Sequence, residues 1–424
     1  MKCRHCLASL DLQLIDLGSM PLSNAFNAEA DQKETYYPLR VMVCTQCWLV
    51  QTDIDQFTLV HDQVFTHRYP YHSSTSASFV EHAWLLVQQI TSEFGLGPDS
   101  LTIEVGSNDG YLLQWMRTPC YGIEPTDTAE IATKRKVITL PGFFNQRTAE
   151  ARVFIGEQYA MSDRERGLPH RQPHVMHRGK ADWMIANNVL AHVPDINDFV
   201  CGFKTLLKPT GLATFEFPWL VSLVQGSQFD TIYHEHYSYL SLTTVAHIFK
   251  ACGLEVFHVE HLAIHGGSLR VYAQHPGTRP VRKSVSDTLA REALAGVMFP
   301  AFYHGLQGAA ERIRDDFRAF LEASKGRVVG FGAAAKGNTL LNFAGIERDL
   351  LPYVVDDTPA KQGKFMPGSR IPVVAAFEEK TPEYVLILPW NFKAEIMAKI
   401  PRRVQFVTAI PHLEIVPSRW LEAA

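Results

Sequence analysis

The chain has 424 residues, of which 46% are hydrophobic and 20% charged, and its formal net charge is −4. This length predicts about three domains, and the mild negative charge gives no electrostatic footprint for nucleic acid. The sequence contains no run of 18 or more apolar residues and no N-terminal signal pattern, so we expect a cytoplasmic protein that does not bind a membrane. We expect its substrate to be small and soluble.

The first element is a pair of Cys-x-x-Cys motifs near the N-terminus. Cys3 and Cys6 form one motif, and Cys44 and Cys47 form the other about forty residues later. Together they supply four thiolates, the usual ligand set of a closed, tetrahedral zinc site. A redox Cys-x-x-Cys needs only one motif, and disulfides are unusual in a reducing compartment. We therefore predict a structural zinc ion that contributes much of the folding energy of this small segment.

The segment between the two motifs carries the first family resemblance. Residues 17–26 read Leu-Gly-Ser-Met-Pro-Leu-Ser-Asn-Ala-Phe. Two Cys-x-x-Cys pairs separated by such a segment resemble the zinc-binding domain of sugar C-methyltransferases, which act on nucleotide-linked ketosugars. In that family a tyrosine from a Tyr-x-Tyr segment faces the sugar, so the resemblance assigns this role to Tyr69 or Tyr71. By composition alone, the aromatic and hydroxyl residues around them suit a pocket wall and a linker equally well.

Residues 102–113 predict a strand, a glycine-bearing turn and the start of a helix. They read Thr-Ile-Glu-Val-Gly-Ser-Asn-Asp-Gly-Tyr-Leu-Leu, so backbone amides at the turn can approach a ligand closely. Neither Gly-x-Gly-x-x-Gly nor Gly-Lys-Ser/Thr occurs here, which disfavours a pyrophosphate cradle. Glu104 would repel phosphates but can hold the cationic amino-acid end of S-adenosylmethionine. The stretch resembles the first motif of class I methyltransferases, which implies that the cofactor is bound by Glu104, Gly106, Asn108, Asp109 and Gly110.

Two further strand ends complete the predicted cofactor site. Glu124 ends the next predicted strand, about twenty residues further on, and a carboxylate there can accept hydrogen bonds from both ribose hydroxyls. Residues 181–195 then read as a strand that ends in polar side chains placed to meet a ligand. This segment resembles the fourth-strand motif of class I methyltransferases, with Asn187 and Asn188 near the cofactor and His192 near the substrate.

Residues 233–239 are the chemically densest stretch, with two histidines, one carboxylate and three tyrosines. The metalloprotease and zinc deaminase motifs are absent, which leaves a noncovalent acid–base site. A histidine can remove a proton next to a carbonyl, and a carboxylate or phenol can orient it and stabilise the enolate. The stretch resembles the Phe-Asp-x-Ile-Tyr-x-Glu-His motif of the same family, which makes His236 the base, assisted by Tyr233 and Glu235. A later His-Gly-Gly turn continues the match and adds two substrate-binding candidates, His265 and Gly266.

Residues 328–339 predict a second nucleotide-type turn, because Gly-x-Gly-x-x-Ala follows a strand and precedes a helix. With Asp356 about twenty residues later, this is a dinucleotide fingerprint. An NAD-dependent sugar-nucleotide oxidoreductase is therefore the main alternative. It leaves the first glycine motif and Glu124 without a role, and such a turn serves other diphosphates equally well. In the family this domain grips the nucleotide diphosphate of the sugar, which implies substrate-binding roles for Gly330, Gly332, Lys336, Asn338, Asp356, Lys361 and Asn391.

We therefore predict an α/β fold with a small zinc-binding domain (1–65), a central Rossmann-like methyltransferase domain (66–295) and a C-terminal Rossmann-like domain (296–424). The Arg-, His- and Pro-rich residues 161–180 are interpreted as a solvated insertion loop. The resemblance implies an S-adenosylmethionine-dependent C-methyltransferase that acts next to the ketone of an NDP-4-keto-deoxysugar, at C3. We expect a monomer or homodimer. A sugar-nucleotide-binding protein without catalysis is a further alternative.

Overall fold

The computed structural model describes residues 1–53, 65, 70–154, 179–378, 381–400 and 403–417. Tyr69 and nearly all of the predicted insertion loop lie outside these residues. The described part contains three β-sheets of four, seven and six strands with helices between them, so the predicted α/β class is confirmed. None of the helices in these ranges is long and apolar enough to cross a membrane.

The N-terminal sheet is antiparallel, with the strand order β1-β2-β3-β9. Its strands are β1 (Leu12–Met20), β2 (Tyr37–Val43), β3 (Val50–Thr52) and β9 (Ser238–Tyr239). Strand β2 alternates as predicted, because Leu39, Val41 and Val43 are buried while Arg40 between them is exposed. Strand β9 follows closely after His236, so the predicted catalytic segment is joined directly to the sheet that the cysteine motifs flank.

The central sheet has the order β10-β11-β8-β7-β4-β5-β6 and is parallel except for β11, which runs antiparallel to both neighbours. Its strands are β4 (Thr102–Val105), β5 (Cys120–Glu124), β6 (Thr139–Pro141), β7 (Ala181–Asn187), β8 (Leu207–Pro218), β10 (Glu255–Leu262) and β11 (Ser268–Gln274). The chain winds outward from β4 in both directions. Ligands bind at such a reversal, beside the carboxyl ends of the parallel strands.

Helices cover both faces of this sheet. In chain order they are α1 (Ala77–Glu93), α2 (Thr128–Lys134), α3 (Ile196–Leu206), α4 (Leu220–Gln225), α5 (Leu242–Ala251) and α6 (Lys283–Ala295), and residues 146–154 are also helical. Helix α1 begins after Ser76, whose side chain accepts a hydrogen bond from the Phe79 amide, which satisfies a free N–H of the first turn. Cys201 of α3 and Cys252 just after α5 form a disulfide.

The C-terminal sheet has the order β14-β13-β12-β15-β16-β17, and only β17 is antiparallel to its neighbour. Its strands are β12 (Val328–Phe331), β13 (Val354–Val355), β14 (Val373–Val374), β15 (Tyr384–Ile387), β16 (Gln405–Thr408) and β17 (Glu414–Pro417), with helices α7 (Leu306–Ala323), α8 (Ala335–Phe343) and α9 (Lys393–Lys399). The chain reverses its winding between β12 and β15, which places a second ligand crevice there. Phe317 and Leu321 of α7 share one hydrophobic core with Ile15 and Leu17 of β1, so the first and last regions pack together.

Candidate active site and zinc centre

The four cysteines predicted to bind zinc come together at one end of the N-terminal sheet. Their sulfur atoms all lie within 4.8 Å of one another, and a tetrahedral zinc ion with bonds of about 2.3 Å separates its sulfurs by about 3.8 Å. Both motifs fold into the same turn, since Leu7 and Trp48 have φ of 63° and 62° and donate to the carbonyls of the first cysteines. The donor set therefore fits zinc, and its members are Cys3, Cys6, Cys44 and Cys47.

A cavity of about 620 Å³ lies at the carboxyl ends of the central and C-terminal sheets. Gly106 and Glu124 line it from the central sheet, and Lys336 and Asp356 line it from the C-terminal sheet. Asn24 reaches it from the N-terminal region. All three parts of the fold therefore contribute to one site.

One end of the cavity has the features of a cofactor pocket. Gly106 has a φ of +69°, and a Cβ there would lie 2.4 Å from Val189 Cγ2, so the turn requires glycine. Asn108 and Asn188 also have left-handed backbones, with φ of 48° and 55°. Among the described residues, Asn187 Oδ1 and Asn188 Nδ2 are buried without a hydrogen-bond partner. Buried polar atoms are rarely left unpaired, so both atoms suit the predicted contact with the cofactor.

The carboxylate of Glu124 is fixed at the wall of this pocket. Its Oε2 accepts from the Asn108 amide at 2.8 Å, and its Oε1 accepts from the Thr126 amide and hydroxyl at 3.0 and 2.6 Å. Burial raises the pKa of Glu124, and these hydrogen bonds act in the opposite direction. Oε2 still has a lone pair for a ribose hydroxyl, whereas both lone pairs of Oε1 accept from Thr126. A bond from Glu124 to both hydroxyls of the diol stays a prediction.

Three of the predicted cofactor residues do not line the cavity. Glu104 is buried beneath the turn, where burial raises the pKa of its carboxyl well above the usual value. Asp109 accepts from the Ser74 hydroxyl and pairs with Arg135 at 3.3 Å, so it ties the segment before α1 to the turn. Gly110 closes the turn with a φ of +79°. A direct cofactor contact by these three stays a prediction.

The histidine predicted to be the base has a defined tautomer. His236 Nδ1 lies 2.8 Å from the Thr231 carbonyl oxygen, which can only accept, so Nδ1 carries the proton and Nε2 carries the lone pair. His236 lines the cavity, and burial together with the charge of His192 lowers its pKa well below the usual value. The imidazole is therefore neutral at neutral pH and ready to accept a proton.

The predicted assisting residues surround His236. The Tyr233 and His192 rings lie 4.0 and 4.6 Å from its ring, centroid to centroid. His192 Nδ1 donates to the backbone carbonyl of Glu235 at 2.9 Å. Burial raises the pKa of the Glu235 carboxyl to about 7. Tyr71 also lines the cavity, whereas the other predicted tyrosine lies outside the described residues.

Two of the three lysines that line the cavity from the C-terminal domain are buried or half-buried. Lys336 Nζ donates to Asn391 Oδ1 at 2.6 Å and lies 4.7 Å from the centre of the Trp390 ring. Lys361 Nζ lies 3.4 Å from Asp356 Oδ2. Lys336, Asn391, Lys361 and Asp356 line the cavity, whereas Trp390 does not. Lys399, Asp357 and Glu395 also line the cavity from the C-terminal domain, so lysines and carboxylates are equal in number at this lysine-bearing end. The end also includes the first residue of α8, and a helix N-terminus favours anions.

The other predicted substrate residues divide into two groups. Gly332 and His265 line the cavity. Gly330, Gly266 and Asn338 do not line it: Gly330 packs against Val354, Gly266 packs beside the Trp390 ring, and Asn338 is fully buried. The wall also contains residues that the sequence did not single out, among them Asn24, Phe79, Tyr111, Thr126 and Val189.

Comparisons with known proteins agree with this architecture. Family descriptions match residues 3–55 as a zinc binding domain, 79–259 as a methyltransferase domain and 263–411 as a C-methyltransferase C-terminal domain. The C-methyltransferase NovU of Streptomyces niveus is 32% identical over 431 residues, which cover 98% of this chain and 96% of that protein.

Solved structures resemble only part of the chain. A SAM-dependent methyltransferase of Thermotoga maritima is 17% identical, with a TM-score of 0.32, over 46% of this chain and 90% of that one. Magnesium protoporphyrin IX methyltransferase of Synechocystis PCC 6803 with bound SAH is 12% identical, with a TM-score of 0.32, over 46% and 83%. Because these scores are low, membership rests on the sequence matches. The chain belongs to the C-methyltransferase family, as an S-adenosylmethionine-dependent enzyme with a zinc-binding domain.

Proposed function

We propose that this enzyme methylates the carbon next to the ketone, C3, of an NDP-4-keto-deoxysugar, with His236 as the general base. The observation that carries the proposal is the position of His236. Its unprotonated Nε2 belongs to a side chain that lines the same cavity as the cofactor pocket and Lys336. Methylation of carbon requires such a base, because carbon is a poor nucleophile until its α-proton is removed.

The cofactor pocket would hold S-adenosylmethionine through residues already on its wall. Glu124 would accept from a ribose hydroxyl through Oε2, and the unpaired amide atoms of Asn187 and Asn188 would bond other polar groups of the cofactor. When bound, the cofactor supplies an electrophilic methyl group on a sulfonium cation. Gly106 keeps this wall open, because any side chain there would meet Val189.

The lysine-bearing end would hold the diphosphate of the sugar nucleotide. Lys336 and Lys361 provide the charge, and the α8 N-terminus provides backbone N–H groups. Lys336 is half-buried, and burial lowers its pKa while Asp230 raises it. A dianionic partner would therefore stabilise its charged form.

The chemical step then follows from the tautomer of His236. The α C–H bond would break as Nε2 takes the proton, and its electron pair would remain on the sugar as the enolate. Bound S-adenosylmethionine would supply the methyl group to the α carbon, and S-adenosylhomocysteine would leave with the electron pair of the broken sulfur–methyl bond. The phenol of Tyr233 would donate a hydrogen bond that stabilises the negative charge on the ketone oxygen. Lys336 is among the charges that lower the pKa of His236. Binding of the diphosphate to Lys336 would offset that effect and make His236 a stronger base when substrate is present.

His236→Asn tests the proposal. It should lower turnover by about 10²–10⁴-fold, the usual contribution of a general base, while calorimetry shows an unchanged affinity for S-adenosylhomocysteine. In D₂O the wild type should exchange the α-proton of the 4-keto sugar nucleotide, and the variant should not. His234→Asn is a matched control, because that neighbouring ring bonds the Tyr37 carbonyl instead and does not line the cavity. Full exchange by His236→Asn would place the base elsewhere, and a methyl group found on oxygen would refute the enolate mechanism.

A further inference from the structure

The segment that follows β1 reaches into the active site. Leu22 and Ser23 are buried, and Asn24 lines the cavity. Beyond it, Asn27 and Phe365 exchange backbone hydrogen bonds of 3.0 and 2.8 Å. The segment is thus held by β1 on one side and by the C-terminal domain on the other, which keeps Asn24 in a fixed place.

Asn24 is bonded to the carboxylate of Glu235. Its Nδ2 donates to Glu235 Oε2 at 2.7 Å, and its backbone amide adds a second contact to the same carboxylate. Among the described residues, no other group donates to this carboxylate, and Oε1 is buried without a partner. Glu235 is only 1% exposed. A buried carboxylate is costly unless it is hydrogen-bonded, so Asn24 is the group that makes this position tolerable.

Glu235, which Asn24 holds in place, also contacts other residues of the site. The backbone carbonyl of Glu235 accepts from His192 Nδ1 at 2.9 Å, and the next residue is the base. A shift of Glu235 would therefore move the imidazole of His192 as well as its own carboxylate.

We propose that Asn24, contributed by the zinc-binding region, is a positioning residue of the active site. It holds Glu235 through Oε2 and leaves Oε1 to accept a hydrogen bond from a hydroxyl of the bound sugar. The inference rests on the proposed function, because it needs a sugar in the cavity. It also gives the N-terminal region a part in catalysis beyond metal binding.

Asn24→Ala is the direct test. A hydrogen bond to a charged group contributes about 1.5–3 kcal/mol, which corresponds to about 10–150-fold. We expect turnover to fall by that factor while zinc content and the affinity for S-adenosylhomocysteine stay unchanged. In a Glu235→Ala background the same substitution should cost less than about 2-fold, because its target is gone. Equal losses in both backgrounds, or wild-type turnover in the single variant, would overturn the proposal.

Two further variants separate positioning from a general effect on folding. Asn27→Ala removes an amide from the same segment, one that bonds Glu34 at 2.7 Å, and it should keep turnover within about 2-fold. A loss equal to that of Asn24→Ala would mean that the segment matters only as a structural strap. Asn24→Asp keeps the shape of the side chain but places a carboxylate against Glu235. It should fold and lose at least as much turnover as Asn24→Ala, and full activity would contradict the proposal.

Failure here is distinguishable from failure of the proposed function. If the wild type methylates a 4-keto sugar nucleotide and the Asn24 variants match it, only the role of Asn24 is wrong. If the wild type neither methylates nor exchanges the α-proton of such a substrate, the proposed function itself is wrong.

Discussion

Gly106→Ala should weaken cofactor binding without preventing folding. Gly106 follows β4 directly and has a φ of +69°. A Cβ added there would lie 2.4 Å from Val189 Cγ2, whereas ordinary contact begins near 3.4 Å. Either the turn or Val189 must therefore move by about 1 Å, at the wall where Asn187 and Asn188 are predicted to contact the cofactor.

The expected loss of binding free energy has two parts. An L-residue in a left-handed backbone costs about 1–2 kcal/mol. The overlap with Val189 adds to this cost. In the variant without cofactor the turn can relax to a less strained backbone. Cofactor binding would have to restore the left-handed conformation, so the free-energy cost weakens binding. The backbone part alone predicts a dissociation constant about 5–30-fold higher.

Calorimetric titration with S-adenosylhomocysteine measures this change. Gly95→Ala is a matched control, because Gly95 has a φ of +63° with nothing within 4 Å of the added Cβ, and it should lower stability but leave the dissociation constant unchanged. Adding Val189→Ala to Gly106→Ala should restore the part of the cofactor affinity that is lost through the overlap. A dissociation constant for Gly106→Ala within 2-fold of the wild type would refute the reasoning, and no rescue by Val189→Ala would show that overlap plays no part.

The remaining predictions concern the metal and the substrate. Purified protein should contain about one zinc ion per chain, as for a single closed four-thiolate site. Cys6→Ser alters the one exposed ligand and should lower both zinc content and the unfolding temperature; a zinc-free chain of undiminished stability would contradict the site. Lys336→Met should raise KM for the sugar nucleotide about 10–150-fold, because it removes a charge-assisted hydrogen bond. Lys325→Met, an exposed lysine paired with Asp349, should leave KM unchanged, and equal KM values in the two variants would argue against a diphosphate at Lys336.

The features that the sequence predicts well are local ones. The two cysteine pairs, the turn at Gly106 and the stretch ending at His236 each depend on spacing within a few residues, which the backbone fixes directly. A motif predicts the whole turn, however, and not the role of each residue in it. It does not separate Gly106, which lines the cavity, from Asp109 and Gly110, which shape the turn behind it.

The features that the sequence does not predict are set by packing between distant elements. Asn24 and Glu235 are 211 residues apart, and no periodicity relates them. Strand β9 has two residues, too few to show alternation. The disulfide between Cys201 and Cys252 is likewise not predicted. Their apolar surroundings give no signal for a partner 51 residues away.

The pairing of β3 with β9 affects the order in which the chain can assemble during synthesis. Val50 pairs with Tyr239, roughly 190 residues later, and a ribosome adding about 5–20 residues per second needs about 10–40 s to make that stretch. All four cysteines emerge early in this interval, whereas the outer edge of β3 has no partner strand until its end. An unpaired edge invites association with other chains. The time that translation takes, and not the supply of zinc alone, therefore determines when Asn24 can form its hydrogen bond to Glu235.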